Sequence, residues 1–197
     1  MDNWVNILDE DILKTNVNFA AVFVMNYECL KEFVIEQVRF FYSEHFYMDD
    51  DKLVCEESET YKKEVRALDK QIENASLKWF LKEEAITLED YETYQLIRKR
   101  RNDITHELLK NLNLGFNEED VQLFGKLLDI YQKLDKWWLN EIEIPTSADA
   151  IPIDYDREGV CGGQAIMLSI INDIVLGNDG EKYKKLLNEI VMSCGGL

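Results

Sequence analysis

Four consecutive cations, Arg98, Lys99, Arg100 and Arg101, lead into Asn102, Asp103, Ile104, Thr105 and His106. An imidazole titrates near neutrality and can take or give a proton. A guanidinium can hold two oxygens of a phosphoryl group through paired hydrogen bonds. The placement of these groups on a helix is informative. With Arg101 at zero on a wheel, Tyr94 and Leu112 lie at about +20°, Leu108 at about −20°, Ile97 at about −40° and Ile104 at about −60°. Arg101 thus falls in the middle of the apolar stripe. A permanent charge there must be paired, or must open onto a cleft or an interface.

The elements that hold this stretch can be read from period and punctuation. The chain has 197 residues, enough for one domain or one domain with an appendage, and only 9 Gly and 2 Pro break it. Its 46% hydrophobic and 31% charged residues are an ordinary globular composition. Few breakers, with abundant Leu, Ile, Glu and Lys, predict long helices. A first helix is expected from about Asn16 to Phe46, with Phe19, Phe23, Leu30, Phe33, Val34 and Phe41 at helical spacing. An acidic loop follows, Asp49 to Glu57. A second helix is expected from about Glu57 to Glu83, its seam formed by Tyr61, Val65, Leu68, Ile72, Ala75 and Trp79. A third, carrying the cations, runs from about Leu88 to Leu112 after a Thr87-x-x-Asp90 start, with Gly115 as a C-terminal cap. A fourth begins at Asn117, with Glu118, Glu119 and Asp120 in its first turn, and fades near Ile144-Pro145. Residues 145–156 read as a linker. A fifth helix is expected over about Arg157 to Leu176, and a sixth, short one up to about Ser193, with Tyr183, Leu186, Leu187 and Ile190 on one side. No strand of real length is expected. The fold class is therefore all-α: an antiparallel bundle of four long helices over 1–144, with a linker and a two-helix C-terminal extension over 145–197.

Charge and cysteine usage narrow the function classes. Against 22 Lys+Arg stand 39 Asp+Glu, a net charge of −17. Broad, non-specific coating of nucleic acid requires the opposite sign. The third helix is a local exception. From Leu88 to Leu112 five cations (Arg98, Lys99, Arg100, Arg101, Lys110) balance five acids (Glu89, Asp90, Glu92, Asp103, Glu107). A small basic cleft on an acidic body is compatible with the local range of fields at physiological salt. Cys29, Cys55, Cys161 and Cys194 form no C-x-x-C pair, and with 2 histidines a closed zinc site is not expected. Reduced thiols in a cytoplasmic protein are the simpler reading. The acidic segment Met1 to Asp11 lacks the basic region of a secretory signal, and the longest apolar run, Phe19 to Met25, is too short to span a bilayer. Neither a membrane association nor a P-loop is expected.

Arg101-Asn102-x-x-x-His106 resembles the Arg-polar-x-x-x-His signature of HEPN domains. These are all-α bundles, many of them metal-independent ribonucleases of toxin–antitoxin and antiviral defence systems. The helical context and the aromatic first helix are similar too, and the resemblance covers about 16–144. It implies an endoribonuclease in which a 2′-hydroxyl attacks the adjacent phosphate. His106 would then be the general acid/base, Arg101 the phosphate clamp and Asn102 the residue that orients one of them. Arg98, Arg100 and Thr105 would contact the RNA. No cofactor or metal is implied. The family usually dimerises, so that two motifs line one cleft, and an antitoxin or nucleotidyltransferase partner belongs to the same picture. One feature strains it. Arg101 and His106 are about 140° apart on an ideal helix, with Thr105 and Asn102 between them in angle. They meet only if the arginine curls, if the helix distorts, or if each faces the other's counterpart across a dimer.

The alternative is a non-catalytic HEPN-like bundle, a nucleotide-binding, protein-interaction or regulatory subunit. Each residue also has a plainer reading. Arg101 can be an interior arginine paired with an acid from another helix. His106 can be a solvated histidine, and Arg98 to Arg100 a solvated face. His45 reads as a dipole partner at the end of the first helix. Cys161 invites a nucleophile reading, but no second histidine stands at a suitable position. Trp137, Trp138 and Tyr131 read as core plus one interface aromatic.

Overall fold

The computed structural model describes residues 4–49, 52–147 and 155–177. The expected sixth helix, and residues 148–154 of the expected linker, lie outside the described residues. The fold is all-α in character, with one small hairpin.

A short helix α1, Val5–Leu8, precedes α2, Glu10–Phe41, the longest element at 32 residues. Asp9 starts α2 earlier than the apolar period suggests. Its carboxylate accepts from the N–H groups of Asp11 and Ile12, and Glu10 and Asp11 sit where the helix dipole favours acids. Phe19, Phe23, Leu30, Phe33 and Val34 are buried at the spacing read from the sequence, and Tyr27 and Val38 join them. The helix stops at Phe41, before His45. His45 is therefore outside the helix rather than at its C-terminal dipole.

Strands β1, Phe46–Asp49, and β2, Lys52–Cys55, pair antiparallel, with Phe46 opposite Cys55 and Asp49 opposite Lys52. Each is four residues, so the period-2 signal is too short to stand out from an acidic loop.

The expected second helix is two helices and a turn: α3, Glu59–Glu64, a 3-10 turn Arg66–Leu68, and α4, Ile72–Lys82. The seam residues are buried or half-buried as expected; the continuity is what fails. Asp69 is extended, at φ −159° and ψ 156°, and its carboxylate accepts from the Gln71 N–H at 3.0 Å and from Lys78 Nζ at 2.6 Å. A short acidic side chain that bonds nearby backbone offers the chain a turn in place of a helix.

The expected third helix also divides, into α5, Leu88–His106, and α6, Leu108–Leu114. Thr87 and Asp90 form a reciprocal capping box at its start. Glu107 breaks it, at φ −119° and ψ 36°. The Asn111 amide stabilises the break by donating to the carbonyls of Asp103, at 3.0 Å, and Glu107, at 2.9 Å. Helix α7, Glu118–Trp138, opens with a second capping box, Asn117 with Asp120. It continues through a π turn, Leu139–Glu143, into α8, Ile144–Thr146.

One core joins α2, α4, α5 and α7. The last described helix, α9, Gly163–Val175, packs on α2 and α7 and adds Ala165 and Leu168 to that core. It starts several residues later than expected, because Gly162 precedes it in extended conformation. Three polar contacts fix it. The buried amides of Asn26 and Asn172 donate to each other, at 2.7 and 3.0 Å. Asn18 donates to the Val175 carbonyl at 3.2 Å. The Gly162 N–H donates to the Asp135 carboxylate at 2.7 Å. At the other end of the core Trp79, Phe80, Trp137 and Trp138 pack edge to face, with Trp138 buried and Trp137 half-buried.

Asp135 is buried, and burial pushes its carboxyl above the usual range, against the lowering effect of the Gly162 N–H. A carboxyl with a raised folded-state value opposes folding, its penalty growing as pH rises from the ordinary carboxyl value up to the raised one and staying constant above it. Asp135→Asn keeps the acceptor for Gly162. Its melting temperature is expected to exceed the parent's at pH 7.5, with the gap narrowing toward pH 4. A gap that does not depend on pH excludes the effect. At Gly162 an added Cβ would lie 2.4 Å from the Asp135 carboxylate. Gly162→Ala is therefore expected to destabilise the fold by about 2 kcal/mol in urea unfolding.

Candidate functional site

Arg101 lies on α5 between Ile97 and Ile104, both fully buried. Its side chain is 25% exposed. The guanidinium rests over the Tyr27 ring of α2, its central carbon 5.5 Å from the centroid, an arrangement that stabilises a cation without satisfying its N–H groups. Nη1 donates to Asn102 Oδ1 at 2.9 Å, and Nη2 donates to Glu28 Oε1 of α2. Nε is buried without a hydrogen-bond partner among the described residues. The charge is therefore paired inside its own chain with an acid from another helix, on a side chain that is a quarter exposed.

The ring beneath it is fixed. Tyr27 donates its hydroxyl hydrogen to Glu73 Oε1 at 2.6 Å, and Tyr94 donates to the same oxygen at 2.8 Å. Burial and the nearby Glu73 carboxylate push both phenols up, so they remain donors at any physiological pH. Arg98 Nη1 is 3.7 Å from Glu73 Oε2.

The other expected site residues divide. Asn102 is beside Arg101 and bonded to it, as an orienting residue would be. The Thr105 hydroxyl donates back to the carbonyls of Arg101, at 3.1 Å, and Asn102, at 3.0 Å, so its hydrogen is already engaged by the helix. His106 is the last residue of α5 and is exposed. The break at Glu107 immediately follows it.

Arg98 and Arg100 are engaged elsewhere. Arg98 donates to Asn74 Oδ1 at 2.8 Å and to Gln95 Oε1. Arg100 holds Asp120 with two parallel contacts, Nε to Oδ1 at 2.5 Å and Nη2 to Oδ2 at 3.0 Å, and holds Asn111 Oδ1 at 2.8 Å. Phe116 lies under it, its centroid 5.5 Å from the guanidinium carbon. Geometrically Arg98 braces α5 to α4, and Arg100 ties α5 to α6 and to the first turn of α7. The forks of both are engaged within the chain, as that of Arg101 is by Asn102 and Glu28. Lys99 is exposed.

Sequence reasoning missed Glu28, Tyr27, Glu73 and Tyr94. Tyr27 and Glu28 lie on α2 and Glu73 on α4, where nothing in linear spacing brings them to Arg101; Tyr94 is on α5 itself, read from the wheel as part of the apolar stripe but not as a partner of Glu73. The aromatic richness of the first helix was the only available signal. It also missed an apolar groove of about 470 Å³ that runs between α2 and the α5–α6 joint, from Val17 through Ala21 and Met25 to Ile104 and Leu108. Thr105 lines it, and the described residues around it carry no charge.

Other candidates are weaker. Cys29 is half-buried and Cys161 exposed, both free. Burial pushes both thiols up, away from the thiolate that a nucleophile needs. Among the described residues no three His, Cys, Asp or Glu side chains gather as a metal would require, and no helix is long and apolar enough to cross a membrane. Comparison with protein-family models, curated proteins and solved structures returns no match to the chain.

Asp120 carries both the Arg100 fork and the α7 capping box. Asp120→Ala leaves a mostly buried guanidinium without its carboxylate and is expected to destabilise the fold by about 3 kcal/mol. Chemical unfolding checks it. A loss below about 1 kcal/mol would show that Arg100 is not the clasp between these helices.

Proposed function

We propose that this chain is a HEPN-like, metal-independent endoribonuclease of a toxin–antitoxin or antiviral defence system, acting in the cytoplasm as a homodimer. The observation that carries the reading is the state of Arg101: a guanidinium seated on an immobilised ring, bonded to Asn102, on a side chain that is a quarter exposed, and followed by an exposed His106 on the last turn of the same helix. The basic run on an otherwise acidic chain supports it. The uncharged groove beside Thr105 supports a second copy there, because two chains of charge −17 can approach most readily where neither presents charge.

In this reading the Arg101 fork holds non-bridging phosphate oxygens as negative charge builds on them. The His106 imidazole of one subunit takes the 2′-hydroxyl proton. The 2′-oxygen forms a bond to phosphorus, and the bond from phosphorus to the 5′-oxygen breaks. The second subunit's His106, protonated, gives its proton to the leaving oxygen. The products are a 2′,3′-cyclic phosphate and a 5′-hydroxyl. A cognate antitoxin or nucleotidyltransferase would restrain such an activity.

A second reading has its own observation. Arg101 already has an intrachain carboxylate, Glu28, as a structural arginine would. In this reading the chain is a non-catalytic HEPN-like nucleotide-binding or regulatory subunit.

Incubating the chain with RNA in excess EDTA separates the two. Cleavage that leaves cyclic phosphate ends is expected, with Arg101→Ala and His106→Ala each reducing it ~100-fold or more while helical content is unchanged. Arg101-dependent binding without cleavage gives the second reading. Cleavage by the double variant at the parental rate overturns the first.

A further inference from the structure

We infer that Glu28 is a resident anion on the phosphate-binding fork of Arg101, held in place until a phosphate group displaces it. This rests on the reading of Arg101 as a phosphate contact, which the ribonuclease proposal makes and a nucleotide-binding subunit would share. Two neighbouring arginines on α5 show the difference between a clasp and a placeholder. Arg100 grips Asp120 through both carboxylate oxygens, and Asp120 is only 11% exposed. Arg101 is met by one oxygen of Glu28, a side chain 39% exposed. The other oxygen of Glu28, Oε2, lies 3.4 Å from Lys31 Nζ, one turn further along α2. A carboxylate that leaves Arg101 therefore has a second cation within reach and is not stranded.

The rest of the arginine's setting is built to stay. Tyr27 presents a ring face and takes no N–H donor from the guanidinium. Glu73 fixes that ring by accepting from its hydroxyl, and Tyr94 shares the same carboxylate oxygen. Asn102 keeps Nη1. When Glu28 swings to Lys31, the fork keeps its place and presents Nη2 to whatever anion replaces the carboxylate. Carboxylate and phosphate oxygens accept from a guanidinium with the same geometry. The exchange is also an easy one, because ion pairs open to solvent are weak. Glu28 is thus a positioning residue. It neutralises a half-buried cation in the resting state and sets a threshold for phosphate entry.

The probe is a 2′-O-methyl RNA oligonucleotide, which carries phosphates and lacks the 2′-hydroxyl nucleophile. Its affinity is measured by fluorescence anisotropy for the parent, Glu28→Gln, Arg101→Ala and the double variant. Glutamine keeps the shape of Glu28 and an acceptor for Nη2, and the melting temperature checks that the variant folds. Glu32→Gln, an exposed position on the same helix, removes the same charge as a control. Glu28→Gln is expected to bind about fivefold tighter than the parent, Glu32→Gln less than twofold tighter, and the gain to vanish in the Arg101→Ala background. Binding by Glu28→Gln no tighter than the parent, or a gain no larger than that of Glu32→Gln, overturns the inference while leaving Arg101 as a phosphate contact. An affinity that Arg101→Ala does not change, or no binding by any form, removes the phosphate contact itself and both proposals with it.

Discussion

A permanent charge set into a buried stripe is the constraint around which the contact between α2 and α5 is organised. Ile97 and Ile104 are fully buried on either side of Arg101, so its guanidinium cannot leave the interface by rotating about the helix. The surroundings must stabilise it in place. They do so with a ring face, an amide oxygen and one carboxylate. None of these works alone. A ring face leaves the N–H groups unsatisfied, and an exposed carboxylate is screened by water and salt. The Tyr27–Glu73–Tyr94 network supplies the rigidity, because a phenol whose hydroxyl is bonded to a half-buried acid shared with a second phenol cannot turn its ring away. Stability and any anion chemistry at this position therefore share one set of side chains.

The basic run shows how far residue type departs from role. Arg98, Arg100 and Arg101 lie within four positions and carry the same group. Arg98 braces α4, Arg100 joins three helices, and Arg101 meets the Tyr27 ring and one oxygen of Glu28 on α2. What separates them is the partner each meets across the core. Asn74, Asp120 and Glu28 lie 24, 20 and 73 residues away from these arginines in the chain. The wheel correctly singled out Arg101 as the charge in the apolar stripe, because burial follows from period. It had no access to the partners facing Arg98 and Arg100, so the RNA contact that the resemblance implied and the solvated face stayed open for both, and neither describes the braces they form.

The fold was legible where a local signal ran its full length. The Thr87–Asp90 and Asn117–Asp120 starts are read from four residues and form as capping boxes. The apolar period of α2 and α7 recurs over many turns, and Phe19, Phe23, Leu30, Phe33, Val34, Phe124, Tyr131, Leu134 and Trp138 are buried along it, whereas Phe41 and Val121 at the helix ends are exposed. Legibility failed where a side chain redirected the backbone. The seam from Tyr61 to Trp79 is buried with the expected period, yet Asp69 turns the chain in its middle. The run from Leu88 to Leu112 breaks because Asn111 satisfies carbonyls of the turn before it. In both cases a short polar side chain competes with helical bonding, and the hydrophobic pattern does not register it. The hairpin of β1 and β2 is too short for its alternation to be seen.

The break after His106 also bears on the angular conflict between the two motif residues. Five positions of helix place the histidine about 140° around the axis and ~7.5 Å along it from the arginine. Arg101 faces α2, whereas His106 ends its helix in solvent. Within one chain the two groups are thus presented to different sides, which suits a clamp and a proton carrier that serve different copies of the motif. The uncharged groove flanked by Thr105 and Leu108 lies on the α2 side of the same turn. A second chain seated there would meet apolar surface first and the motif at its edge. On a body of charge −17 that order matters, since two such chains repel each other except where neither presents charge.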